Sequence, residues 1–267
     1  MKKIWVVSLL LCCFFPIQME GKILFQFKQS DLFITSEAPP ALVYVSDNQG
    51  RITGANPNQP VDSNGYQGDI PSSGLREIPS SLVLQDRIEN NSANGWNIDI
   101  ADGGAQTYTI NILGIITGNA QIDVGATLLN NPAQSKNTFK NIHVLINPGQ
   151  LRKVILAFDP VQGKTNLQPV VANGDLLNDV KAACQLNLIT SKRICKYLEK
   201  KADAIQSALD EKHNHEAKAL IVSFLHNLGE LRGDGCNDED DREPIQKNAL
   251  KALIEDAKAL LVQLDKY

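Results

Sequence analysis

Asp234, Asn237, Asp238, Asp240 and Asp241 crowd into one short stretch and offer the hard oxygen ligands that Ca²⁺ prefers. Their order departs from an EF-hand loop, which needs alternating Asp or Asn, a Gly at the sixth position and a closing Glu. Two other readings stay open: Asp241 and Glu243 favour the positive end of the helix that follows, or the stretch is a solvated acidic loop. His213-Asn214-His215 has donor atoms for a metal but also suits a helix-capping stretch. Tyr66, in a long loop over 54–80, and Trp96, at the start of an alternating run, are the aromatic candidates for ligand contact. For Trp96 the favoured reading is a position in the sandwich core. Nucleophilic and phosphate chemistry have no foothold, because the chain holds no Gly-x-Ser-x-Gly elbow, no Walker loop and no His-Glu-x-x-His. Asp99 and Asp102 sit at a strand end and suit turn chemistry, and His143 alternates with Ile142 and Val144, which predicts an outward-facing strand position. The expectation is a protein that is not an enzyme and needs no cofactor, with Ca²⁺ the ion its acidic stretch could take; the less favoured alternative is a hydrolase of unrecognised type drawing on Asp99 and Asp102.

The thiols speak to compartment. Cys12 and Cys13 lie in an apolar leader: Lys2 and Lys3 precede the run Ile4 to Phe15, which Pro16 breaks. This is the pattern of a secretory signal, too short to span a bilayer, with cleavage expected after Gly21. Lipid anchoring is not expected, because Leu11 stands where a lipobox wants a small residue. Export permits disulfides among the remaining Cys184, Cys195 and Cys236. Their spacing matches no zinc site, and an odd count leaves one thiol over for a disulfide-linked dimer. One intrachain bridge to Cys236 suits thiols gathered near one end of a helix bundle, and the sequence does not choose the pairing.

Two kinds of element must position these groups. Over 22–160 apolar residues alternate in short runs: Ile23 to Phe27, Leu32 to Ile34, Ala41 to Val45, then Trp96/Ile98/Ile100, Tyr108/Ile110/Ile112 and Ile122/Val124/Ala126. Ile142/Val144/Ile146 and Val154/Leu156/Phe158 flank Asn147-Pro148-Gly149, which predicts a hairpin. Seven or eight such strands predict an antiparallel, Ig-like β-sandwich. Residues 161–174 are polar with Pro and Gly, and predict an interdomain linker. From 175 to 267 the period becomes helical. A short helix carrying Leu177, Val180 and Cys184 comes first. A helix capped by Thr190 or Ser191 then carries Ile194, Leu198, Ile205 and Leu209. Asn214 opens the stripe Ala217, Leu220, Ile221, Phe224, Leu225 and Leu228. Pro244 opens Ile245, Ala249, Leu253, Ala257, Leu260 and Leu264. The expectation is a three-helix bundle following the sandwich.

The helical half, from Leu186-Asn187-Leu188-Ile189-Thr190 through Lys218 to Leu225 and on to Leu253-Ile254-Glu255-Asp256-Ala257, resembles the FIMAH domain, a small module of bacterial exported and surface proteins without known catalytic residues. Its second connection, around Gly233 to Asp241, is longer and more acidic than the usual pattern. In the first half, Asp47-Asn48-Gln49-Gly50-Arg51-Ile52-Thr53-Gly54 followed by Glu77-Ile78-Pro79 resembles the opening of β-sandwich modules attached to exported bacterial hydrolases and cell-wall proteins. The physical reading of that motif is a turn at Asp47 to Gly50 with Arg51 paired to a carboxylate. The resemblances imply a secreted, non-catalytic protein, extracellular or periplasmic. It would bind a protein or polysaccharide of the bacterial envelope or extracellular space, or serve as a spacer or structural homo-oligomer.

Size and charge agree with these limits. The 267 residues suffice for one or two domains, and the 26 Lys and Arg against 30 Asp and Glu include no dense basic block, so nucleic acid is not an expected partner. No apolar run is long enough for a transmembrane helix.

Overall fold

Strict alternation builds the first half. The structure, a computed structural model, describes residues 31–37, 41–60, 67, 74–85, 95–101, 104–129, 135–161, 164–233 and 244–266. Among them are eleven strands: β1 (Asp31–Glu37), β2 (Ala41–Ser46), β3 (Ile52–Ala55), β4 (Gly74–Arg76), β5 (Ser81–Gln85), β6 (Trp96–Ala101), β7 (Gln106–Gly114), β8 (Gly118–Leu129), β9 (Ser135–Ile146), β10 (Leu151–Asp159) and β11 (Lys164–Val170). They form two antiparallel sheets, β5-β6-β1-β8-β9 and β11-β10-β7-β2-β3-β4. The sheets share one sandwich-like core. The predicted alternating sets Trp96/Ile98/Ile100, Tyr108/Ile110/Ile112, Ile122/Val124, Ile142/Val144 and Val154/Leu156/Phe158 all point into it. Each such side chain, once buried, contributes about 1.5–3 kcal/mol. The predicted run Ile23 to Phe27 lies outside the described residues.

Two expectations about this half are corrected. β9 and β10 are not a hairpin: β9 pairs with β8 in one sheet, and β10 pairs with β7 and β11 in the other. Their Asn147–Gln150 turn therefore carries the chain between sheets. It is anchored by Gly149 N–H donating to the Gly114 carbonyl and Gly114 N–H donating to that of Gln150, both at 2.9 Å. A Cβ on Gly114 would stand 2.1 Å from the Asn147 carbonyl oxygen, so only glycine lets the turn sit this close. The stretch 54–80 is not wholly loop, because Gly74–Arg76 forms β4 against Thr53–Ala55 of β3. Three residues are too few for alternation to show.

Four helices follow, not three: α1 (Asp175–Gln185), α2 (Lys192–Asp210), α3 (Asn214–Gly233) and α4 (Lys247–Leu264). α1 is a full member of the bundle, burying Leu176, Val180 and Ala183. Its stripe is obscured in the sequence by Asp179, a charged residue with 0 % exposure. The other stripes are as expected, with Leu198, Ile205, Ala217, Ile221, Phe224, Leu228, Ala249, Leu253, Ala257 and Leu260 all buried. Ser191 caps α2 by accepting from Ile194 N–H at 3.4 Å. Pro244 lies before α4 and not in its first turn. Its carbonyl accepts from Thr190 N–H, and Gln246 N–H donates to Leu188, so 188–190 and 244–246 are clipped together around an Ile189–Ile245 bridge.

The helices do not hang on a linker. Lys164–Val170, inside the expected linker, is strand β11, and α4 packs on both β9 and β11 while α1 packs on β9. Leu145 of β9 belongs to the helical core. Successive residues of a strand face opposite sides, so Ile142, Val144 and Ile146 serve the sheets while Asn141, His143 and Leu145 serve the helices. Among the described residues no helix is long and apolar enough to cross a membrane.

Candidate functional site

Where helices meet sheets, one buried ionic cluster locks the junction. Arg152 alternates with Val154, Leu156 and Phe158 on the inward side of β10 and is 3 % exposed. Its Nη1 donates to Asp179 of α1 and its Nη2 to Asp256 of α4, each at 2.5 Å. Asp175 stands farther off, 3.6 Å from Nε. Asp175 instead accepts from Gln150 Nε2 at 2.8 Å and from Ala172 N–H at 2.7 Å. Burial works against the Arg152 charge, but Asp256, Asp179 and Asp175 more than offset it and raise its pKa. Burial, with the neighbouring Asp256 charge, pushes the Asp179 carboxyl well above the ordinary carboxylate range. Asp179 Oδ1 and Asp256 Oδ2 have no other hydrogen-bond partner. Protonating Asp179 would supply a donor where these two oxygens lack one and would lower the excess of negative charge around Arg152 by one.

The Asp47 motif is likewise occupied structurally. Asp47 Oδ1 accepts from Gln49 N–H and Arg51 N–H at 2.9 Å, and Oδ2 accepts from Arg51 Nε at 2.7 Å, so the predicted Arg51–carboxylate pair is formed within the turn. Burial would raise the Asp47 carboxyl, but these bonds to Arg51 and Gln49 hold it below the usual range. Glu77 accepts from Ile52 N–H at 2.9 Å, and Gly54 sits at φ +118° against the Val43 carbonyl. Gln67, buried, ties the neighbouring segment by donating to the Asn56 and Gln59 carbonyls at 2.6 and 3.0 Å.

What remains unspent is a cleft. β9 and β11 are edge strands of different sheets, and the flank of the paired sheets lies open between them. Lys140 of β9 reaches across, its Nζ donating to the Thr165 carbonyl of β11 at 3.2 Å. α4 lies over the same flank, and a cleft of about 410 Å³ opens among Lys140, Asn141 and Ile142 of β9, Leu167, Gln168 and Pro169 of β11, and Lys251, Glu255, Lys258, Ala259 and Val262 of α4. A second hollow of about 350 Å³ shares Lys251, Glu255 and Lys258 and adds Lys247, Leu250 and Ile254. Lys247, Lys251 and Lys258 recur at helical spacing and so share one face of α4. Lys251 Nζ donates to the Asn141 carbonyl and Oδ1 at 3.2 and 3.3 Å, and Asn141 Nδ2 donates to Asp123 at 2.6 Å. Burial pushes the Glu255 carboxyl up against the opposing pull of Lys251. His143, expected to face outward, is instead half-buried beneath the helical layer. Burial and the Lys251 charge hold its imidazole below its usual pKa, against the weaker pull of Asp123.

The cleft brings together none of the residues singled out from sequence. Trp96 is 1 % exposed in the core between the sheets, its backbone N–H bonded to Ser36 Oγ at 3.0 Å, so it presents nothing to a ligand. Tyr66, Cys236, Asp234, Asn237, Asp238, Asp240 and Asp241 lie outside the described residues. Cys184 and Cys195 are joined to each other and not to Cys236, which decides a pairing the sequence left open: α1 ends beside one cysteine and α2 begins near the other, with Cα atoms 5.9 Å apart. His213 is exposed beside Glu211 and Glu216. Among the described residues no three His, Cys, Asp or Glu side chains are grouped to hold a metal ion. No protein-family model matches the chain, and neither a curated protein nor a solved structure resembles it significantly.

Proposed function

We propose that this chain is an exported, non-catalytic interaction protein of a bacterial envelope or its surroundings. In this reading an Ig-like sandwich and a FIMAH-like helical module are fused into one body, and the cleft between β9, β11 and α4 receives the partner. The observation that carries it is the cleft itself, with apolar walls, a lysine rim and a position on a rigid seam. The other charged groups with special surroundings, Asp47 with Arg51 and Arg152 with its carboxyls, are engaged in holding the fold. Export is supported by the basic-apolar leader and by the Cys184–Cys195 disulfide, which belongs to an oxidising compartment. The partner in this reading is a protein or polysaccharide of the envelope or extracellular space.

The test is saturable binding of the chain from residue 22 onward to envelope polysaccharides, matrix proteins and host-cell fractions, with and without Ca²⁺. Binding in any arm is the expected result. None in all arms removes the interaction reading and leaves a spacer, and a dimer band on non-reducing electrophoresis would then assign the structural role to Cys236.

A further inference from the structure

We infer that the cleft takes an extended acidic peptide segment of a partner protein, which adds to β11 as a further strand at Leu167 and sets its carboxylates against Lys140, Lys251 and Lys258. This rests on the reading of the cleft as the binding site.

The strand edge is the first argument. In an antiparallel ladder the backbone groups of alternate residues point to opposite sides. The Thr165 carbonyl points away from β10, toward Lys140. Pro169, four residues on and of the same parity, has no N–H to give a ladder, which a strand tolerates only where that position faces away from its neighbour. Leu167 lies between them, opposite Leu156 in the β10 register, so its N–H and C=O face outward too. β11 is the edge strand of its sheet, so among the described residues no further strand takes these two groups, and Leu167 lines the cleft. An unpaired N–H and C=O side by side are what strand addition uses. Lys140 already covers the Thr165 carbonyl two positions before Leu167, and Pro169 two positions after it has no N–H to offer, so the β11 edge between them is open at Leu167.

Charge and shape select the strand. Among the described residues three lysines face the cleft against a single acid, Glu255, in a chain whose net charge is −4. Opposite potential at a desolvated rim favours carboxylates and rejects cations. The walls between the lysines are apolar, formed by Ile142, Leu167 and Val262, and an extended peptide sends alternate side chains to opposite sides. A segment alternating acidic and apolar residues meets both requirements. A polyanion without apolar groups leaves those walls wet, and among the described residues no aromatic ring lines the cleft for stacking on a base.

The experiment uses the chain from residue 22 onward and a short synthetic peptide alternating valine with glutamate. Its comparators are the same peptide with lysine for glutamate, the glutamate peptide N-methylated at alternate residues, and dodecanoate. Calorimetry should show saturable binding of the glutamate peptide alone, with new amide protection at Leu167. Lys258→Glu, an exposed position that leaves folding intact, should weaken binding about tenfold, the scale of one well-placed charge. Equal binding of the N-methylated peptide overturns strand addition, and equal binding of the lysine peptide overturns the charge argument. Dodecanoate binding where the peptide does not assigns the cleft to an amphiphile and overturns the inference. Absence of peptide binding also overturns it, while binding to an envelope fraction that persists in Lys258→Glu shows that the broader interaction reading survives its loss.

Discussion

Arg152 on β10 and Asp256 on α4, 104 positions apart in the chain, meet with 2.5 Å between guanidinium and carboxylate. The contact ties the sheet to the helix that covers its flank, and Asp179 on α1 closes the same guanidinium from the other side. Both halves of the chain are therefore expected to unfold together.

Removing that cation should be costly. Arg152→Met leaves buried carboxyls without their counter-charge, and breaking such a pair costs about 3–5 kcal/mol. Urea unfolding should show the loss, with Trp96 fluorescence and helical circular dichroism moving in one transition for the parent protein. Two separated transitions in the parent would show that the halves are independent.

The same cluster sets a pH dependence with an unusual sign for a carboxylate. The Asp179 carboxyl is raised in the folded state, so the folded chain holds a proton that the unfolded chain releases above about pH 3.9. Its contribution to stability is full below that pH and falls as pH rises toward the folded value. Asp179→Asn keeps the shape, supplies a permanent donor for Asp256 and removes the slope. The unfolding free energy of the variant relative to the parent should rise between pH 4 and pH 7; a relative fall would show that Asp179 is ionised in the fold.

The Cys184–Cys195 bridge closes a short loop between α1 and α2. Replacing both cysteines by serine should cost about 2–4 kcal/mol. Reductant should lower the parent's melting temperature to that of the double variant, and a parent insensitive to reductant would contradict the pairing.

Trp96 should behave as core. In the chain from residue 22 onward it is the only tryptophan, so its emission reports one place. Emission should be blue-shifted, unquenched by iodide and unchanged by any partner. Trp96→Ala should destabilise by about 3–5 kcal/mol. Quenching by a ligand would return Trp96 to the list of contact residues.

The legible part of this fold was the part written in local periods. Trp96/Ile98/Ile100 and Tyr108/Ile110/Ile112 alternate because one side of each strand is dry, and Ala249/Leu253/Ala257/Leu260 recur because one side of α4 is. Partner choice is not local. The Asn147–Gln150 turn looks like a hairpin whether its strands pair or part, and β11 looks like linker because half its positions are wet and one is Pro169. Arg152, Asp179 and Asp256 each interrupt an apolar stripe. Those three interruptions were the available signal for a buried ionic cluster, although no spacing could say that they converge. The cleft was hidden for the same reason: Lys140 and Lys258 become neighbours only when α4 crosses the edges of two different sheets.

That crossing also has a direction in time. β9 and β11 are made well before α4, so a chain emerging from the ribosome carries two strand edges on which the helix has yet to pack. Arg152 waits through the same interval without Asp256. The contacts that α4 makes with β9, β11 and Arg152 are thus completed only after residue 247 and those beyond it have been made.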